Sequence, residues 1–305
     1  MAARRGATDL SGVLAIDKPG GMTSHDVVAA VRAATGERRV GHAGTLDPLA
    51  TGLLLVLVGP ATRLERYLSG HDKHYDARVA FGTSTDTLDA DGAVTATADV
   101  RDDLFDLDCA KAILDGFTGV QQQAPPVYSA IKIDGVPSHR RARAGEERPL
   151  AEREIVVHEA VVRSVDASAR TWDVAFNVSK GTYVRSLARD IGLAAGTVAH
   201  LAALRRTAIG SYDVARALTL DEVGTLGRSG ALAERFVDPV ALLGMPVLSV
   251  PPHQIADGRP VDPPHADPAA DAAFALADSD RLYAVYRMRD GALRAETVFP
   301  GGVSR

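Results

Sequence analysis

Gly41-His42-Ala43-Gly44-Thr45-Leu46-Asp47-Pro48-Leu49-Ala50-Thr51-Gly52 leads straight into Leu53-Leu54-Leu55-Val56-Leu57-Val58. A short run of apolar residues bounded by glycine reads as a strand buried in the core. The glycines ahead of it let the backbone take positive φ and approach a ligand closely, and Pro48 biases Asp47 away from a continuing helix. The stretch therefore sets one carboxylate on a turn at the mouth of a core strand, where it can be aimed into a cleft. On these residues alone the alternative is an Asx-turn, in which the aspartate bonds only its own backbone.

Working outward, residues 12–16 read as a short strand, and Thr23 or Ser24 caps a helix running to about residue 34. Residues 61–69 read as helical and 73–81 as a strand, which puts Tyr75 near a strand start. Leu107, Ala110, Leu114 and Phe117 fall at helical spacing, so 106–117 is an amphipathic helix whose stripe packs on a sheet. Residues 127–133, followed by Asp134-Gly135, have hairpin character, and 138–148, with arginines at 140, 141, 143 and 148, read as an exposed basic loop. Strands at 154–165 and 172–178 and helices at 183–192 and 219–227 complete a mixed α/β (α+β) domain. Pro251-Pro252 and the proline-rich stretch 260–268 mark loops, strand-like pieces follow at 282–287 and 295–299, and a boundary falls near residue 245.

A chain of 305 residues suggests roughly two domains, and 46% apolar residues supply a sizeable core. The single cysteine, Cys109, rules out an intramolecular disulfide framework or a cysteine-built zinc site and fits a reducing cytoplasm. No apolar run has the length of a signal-peptide core or a membrane span, so a soluble cytoplasmic protein is expected. A net charge of −5 argues against binding nucleic acid with the whole surface. Placement matters more: residues 121–216 hold fourteen Lys and Arg against ten Asp and Glu, whereas 246–305 hold six against eight. Thr87-x-Asp89-x-Asp91-Gly92 imitates a calcium loop, but Thr stands at its first position and Ala98 at its twelfth. His71-x-x-His74 lacks further ligands nearby, and the glycine loop has no Gly-Lys-Ser/Thr ending, so neither a metal nor a nucleotide phosphate is expected.

The stretch 41–52 closely resembles the catalytic motif of the TruB family of pseudouridine synthases. The resemblance continues in order through Asp17-Lys18-Pro19-Gly20-Gly21-Met22-Thr23-Ser24, Lys73-His74-Tyr75, Gly82-Thr83-Ser84-Thr85-Asp86-Thr87-Leu88-Asp89, Pro125-Pro126-Val127-Tyr128-Ser129-Ala130-Ile131-Lys132 and Gly181-Thr182-Tyr183-Val184-Arg185-Ser186-Leu187. It implies the pseudouridine synthase fold: a mixed, largely antiparallel central sheet flanked by helices over residues 1–245, with a basic RNA-clamping insertion at about 124–152. By position, 246–305 resemble the small β-rich PUA-like domain that often ends these synthases. The implied activity is a stand-alone tRNA synthase that isomerises uridine 55 of the T loop, working as a monomer with no cofactor, metal, membrane or guide RNA.

Isomerising uridine breaks the N1–C1′ bond and joins C5 to C1′ without redox change. A carboxylate can serve it by stabilising charge at C1′, by attacking carbon covalently or by accepting a ribose proton. The resemblance gives that part to Asp47, pairs Arg185 with it to favour the charged form, and lays Tyr75 against the target base. It also places Tyr183 and Leu204 in the uracil pocket and His42 against the rearranged T loop, and it includes Lys18 and Lys132. Arg205 and Arg206 could meet phosphate. The target must leave its stack before Asp47 can reach C1′. Three rivals remain on the sequence alone: a synthase of this fold directed to another RNA or guided by an RNA–protein complex, a non-catalytic tRNA-folding protein, and a glycosidase-like hydrolase needing a second carboxylate.

Overall fold

The computed structural model describes residues 8–129, 131–133, 135–146, 150–249, 251, 255, 260–261 and 271–305. The chain divides into two compact units, one of 1–48, 52–70 and 211–305, the other of 49–51 and 71–210.

In the first unit β1 (Gly12–Lys18), α1 (Ser24–Thr35), β2 (Val40–Ala43) and β3 (Thr51–Val58) come first. β3 lies between β1 and β2, antiparallel to both, and every residue from Gly52 to Val58 is buried, which is why the run has no polar alternation. Thr23 caps α1 through a capping box with Asp26, and Gly36 ends it in the left-handed conformation. Residues expected to form one helix at 61–69 instead make a 3-10 turn, Gly59–Leu64, and the single-turn α2 (Glu65–Leu68).

The second unit holds β4 (Lys73–Phe81), β5 (Thr83–Thr85), β6 (Val94–Thr97), α3 (Leu107–Asp115), β7 (Gly119–Gln123), β8 (Lys132–Ile133), β9 (Val136–Pro137), α4 (Ser138–Arg143), β10 (Arg153–Asp166), β11 (Thr171–Val178), α5 (Val184–Ala194) and β12 (Ala199–Ile209). Its sheet runs β12-β4-β11-β10-β7, antiparallel throughout, with α3 packed on β10 and α5 on β12. Trp172 anchors the core: its indole donates to the Leu104 carbonyl at 3.0 Å and its ring lies 4.6 Å from that of Phe81. Leu104, Ala110 and Leu114 are buried, but Leu107, expected in the stripe, is 40% exposed at the first turn of α3. The basic stretch expected as a loop begins with α4. Ala and Arg favour a helix, Ala142 is buried, and the Ser138 hydroxyl donates to the Val127 carbonyl at 2.6 Å.

The first unit resumes with β13 (Tyr212–Asp213), α6 (Leu220–Ser229), α7 (Pro239–Leu243), β14 (Val247–Leu248), β15 (Ala273–Ala277), β16 (Arg281–Arg289) and β17 (Ala292–Ser304). The last four strands form a sheet in that order, with β14 and β15 parallel, over Phe274, Leu276, Tyr286, Met288 and Leu293. This sheet is tied to the start of the chain. Arg63 donates to the Val298 carbonyl at 2.6 Å, the Tyr67 and Thr297 hydroxyls meet at 2.8 Å, the Ser304 amide donates to the Ser11 carbonyl at 2.8 Å, and Arg305 spans both carboxylate oxygens of Asp238 at 3.2 and 3.0 Å. No helix among the described residues is long and apolar enough to cross a membrane.

Candidate active site

The loop that carries Asp47 is fixed from both sides. Gly44 and Gly52 take φ of +91° and +99°, as the glycine spacing predicts. The buried Ser24 hydroxyl donates to the Leu46 carbonyl at 3.0 Å and accepts from the Leu46 amide at 2.9 Å. The Gly21 amide donates to the Pro48 carbonyl at 2.9 Å. Lys18, fully buried at the end of β1, donates to the carbonyls of Pro19 at 2.9 Å, Met22 at 2.7 Å and Pro48 at 3.4 Å. A buried ammonium needs such acceptors, so Lys18 is tolerated in the core because it gathers these three carbonyls. The residues before and after Asp47 are therefore immobilised, while Asp47 itself is half-buried and keeps access to solvent. His42, also half-buried, meets the His25 ring edge-on, with centroids 5.6 Å apart.

In the second unit β4 and β12 lie side by side, with Leu204 opposite Ala77 and Arg206 opposite Tyr75. Directly opposed residues share a sheet face, so Tyr75, Leu204 and Arg206 come together there, all buried. Lys73, two residues before Tyr75, shares that face and is buried as well. Its ammonium donates to the His71 carbonyl at 2.5 Å, and burial, helped by the charge of Arg206, lowers its pKa to about 8. Arg205 faces the other side, opposite Asp76. With Leu49, Thr51, Arg78 and Arg163 it lines a cavity of about 720 Å³, which Leu204 also borders. Arg205 thus borders an open cavity, whereas Arg206 is an interior charge.

Arg185 sits in the first turn of α5 and is 4% exposed. Its guanidinium donates to the Thr87 carbonyl at 2.8 Å and the Tyr128 carbonyl at 3.0 Å, and its Nε lies 3.7 Å from Asp89 Oδ2. Asp89, 5% exposed, is oriented by the Thr87 hydroxyl, which donates to Oδ1 at 2.5 Å, and by the Asp91 amide at 3.2 Å. The apparent calcium loop is thus a seat for an arginine, and no group of three potential metal ligands occurs among the described residues. Tyr183, at the N-cap of α5, has the Arg153 guanidinium 4.6 Å from its ring. Lys132 lies in β8, with its side chain outside the described residues.

Asp89 and Lys73 were missed as site residues by sequence reasoning. Each lies inside a family motif, and for Lys73 the two-residue strand period from Tyr75 was available as a signal. For Asp89 the calcium-like pattern drew notice, but its partner Arg185, 96 residues away in the chain, left no signal.

Residues 32–184 match the model of the TruB family pseudouridylate synthase N-terminal domain, and 185–240 that of the tRNA pseudouridylate synthase B C-terminal domain. The chain is 42% identical over 299 residues to tRNA pseudouridine synthase B of Thermobifida fusca, covering 95% of this chain and 99% of that one. It is 46% identical over 218 residues to the protein of that name from Opitutus terrae, covering 72% and 89%. Among solved structures, a chain of a Cbf5-Nop10-Gar1 complex superposes with a TM-score of 0.71 at 25% identity, covering 94% of this chain and 84% of that one.

Proposed function

The chain belongs to the TruB family of pseudouridine synthases, and from that premise we propose that it isomerises uridine 55 in the T loop of tRNA to pseudouridine. As a tRNA uridine isomerase it breaks the N1–C1′ bond, turns the uracil and joins C5 to C1′; C5 gives up a proton and N1 gains one, so no oxidant or energy source is consumed. The observation that carries this reading is the family match over 32–240, which takes in Asp47, Tyr75, Tyr183, Arg185 and Leu204.

Asp47 supplies the carboxylate, on a loop whose backbone Ser24 and Lys18 immobilise. Arg185, seated on Thr87, Tyr128 and Asp89, pairs with Asp47 and favours its charged form. Tyr75 lies against the flipped uracil, Tyr183 and Leu204 line its pocket, and His42 supports the rearranged loop. Arg205 meets RNA phosphate, Lys132 acts from the root of the insertion, and Arg206 adds interior positive charge beneath Tyr75. Residues 1–245 form the catalytic domain, the insertion at 124–152 clamps the T arm, and 246–305 form a PUA-like tail. The enzyme acts as a monomer in the cytoplasm on tRNA alone.

Incubating the purified protein with unmodified tRNA, without metal, nucleotide or guide RNA, and mapping the product tests this directly. Pseudouridine at position 55 is expected. Binding without product, or release of free uracil, would overturn the reading.

The clamp has its own signature. Arg140 is exposed, and Arg141 is partly buried 3.3 Å from Glu146. Arg140→Glu together with Arg141→Glu should weaken tRNA binding and lower the slope of log K against log salt by about one for each phosphate that is no longer neutralised. An unchanged slope, measured by filter binding from low to moderate salt, would remove α4 from the RNA interface.

A further inference from the structure

Helix α5 begins without a cap of its own. Tyr183 occupies the N-cap position, and its side chain bonds no amide of the first turn. What holds the Tyr183 peptide instead is Gln123, the last residue of β7, sixty positions earlier and 1% exposed. Its Nε2 donates to the Tyr183 carbonyl at 3.1 Å and its Oε1 accepts from the Tyr183 amide at 2.8 Å. A backbone amide can only donate and a carbonyl only accept, so this pair of bonds fixes which way the Gln123 amide is turned. Further bonds extend the contact. The Ala124 carbonyl accepts from the Ser186 hydroxyl at 2.9 Å and from Arg189 at 3.2 Å, and the Tyr128 carbonyl accepts from Arg185 at 3.0 Å. The start of the insertion and the first turn of α5 are thus stitched into one bracket.

We propose that Gln123 is a positioning residue for the isomerisation: its amide holds the Tyr183 peptide, and through it the Arg185 guanidinium, in fixed register with the root of the 124–152 insertion. The insertion and the arginine therefore move as one body when RNA is gripped, and the carboxylate's partner is in place only when the root of the insertion is. This rests on the reading of the chain as a pseudouridine synthase and adds a residue that lies outside the family motifs of the sequence. A displacement of about 1 Å at a reacting group can cost on the order of 100-fold in rate, so a residue that touches no substrate can still control turnover.

The test is single-turnover pseudouridine formation on unmodified tRNA, with tRNA affinity and thermal unfolding measured in parallel. It uses the full-length protein and its Gln123→Leu and Gln123→Glu variants, each also in an Arg185→Lys background. Gln123→Leu should slow the step by about 10- to 100-fold with affinity changed by less than about threefold. Gln123→Glu, which keeps the bond from the Tyr183 amide and opposes its carbonyl, should fall between. In the Arg185→Lys background Gln123→Leu should cost less than about twofold, because a residue that acts through the guanidinium has nothing further to lose once that group is gone. A folded Gln123→Leu protein with the wild-type rate, or equal losses in both backgrounds, would overturn the proposal. If Gln123→Leu does not fold, Ser186→Ala decides: a loss of about threefold in the wild-type background and none with Arg185→Lys supports it, and equal losses overturn it. A wild-type chain that makes no pseudouridine refutes the proposed function itself, whereas an active wild type indifferent to Gln123 refutes only the positioning role.

Discussion

Asp47→Asn should abolish pseudouridine formation, lowering the single-turnover rate by about 1,000-fold or more, while leaving tRNA affinity within a few-fold of wild type. The substitution keeps the size and shape of the side chain and removes the charge, the nucleophilicity and the basicity together. Each of the three ways in which a carboxylate can serve the reaction is therefore lost at once. The loop should keep its course, because Leu46 is held by Ser24, and Pro48 by Lys18 and the Gly21 amide. Chemical mapping of the product alongside filter binding separates the two effects. Turnover within about tenfold of wild type would mean that the chemistry belongs to another residue.

Arg185→Ala should fail twice, in rate and in stability. Its guanidinium donates to the carbonyls of Thr87 and Tyr128 and lies 3.7 Å from the Asp89 carboxylate, itself 5% exposed. Removing one partner of a buried pair leaves an uncompensated charge and costs about 3–5 kcal/mol, to be read from denaturant unfolding. Turnover of the protein that remains folded should fall by about 100-fold or more, the cost of withdrawing one preorganised electrostatic partner from a reaction centre. Arg185→Lys restores the charge but, as a compact ammonium, cannot span the same acceptors, so it should recover stability better than rate. Unchanged turnover in the folded alanine variant would refute the pairing with Asp47.

Much of the architecture was readable because local pattern and burial coincide. The alternation in 73–81 gives β4 at its full extent, the unbroken apolar run gives β3, and Thr23, one of two caps the sequence offers, opens α1. Pattern failed where the deciding contact is distant or made by the backbone. Leu107 fits the helical stripe of α3, but its position in the first turn leaves it exposed. The arginine-rich stretch looked solvated because charge dominates its composition, yet Ala142 is buried and 138–143 are helical. Of the proposed site, Asp47, Tyr75 and Arg185 rest on motifs. The seat of Arg185 has no such signal, since the Thr87 and Tyr128 groups that accept from it are peptide carbonyls, which leave no mark in a sequence.

The bonds joining Ser11 to Ser304 and Asp238 to Arg305 lie inside a unit assembled from separated stretches of chain, whereas residues 71–210 run without interruption. A ribosome therefore delivers the antiparallel body of β4 to β12 complete before any of residues 211–305 exists. β1, β2 and β3 are made early and pair with one another, but β1 must wait for the backbone bonds that Leu218 and Val237 bring to it. The inserted body is therefore complete in sequence first, and the split unit gains its last ties, from Leu218, Val237 and Ser304, only when the rest has been made.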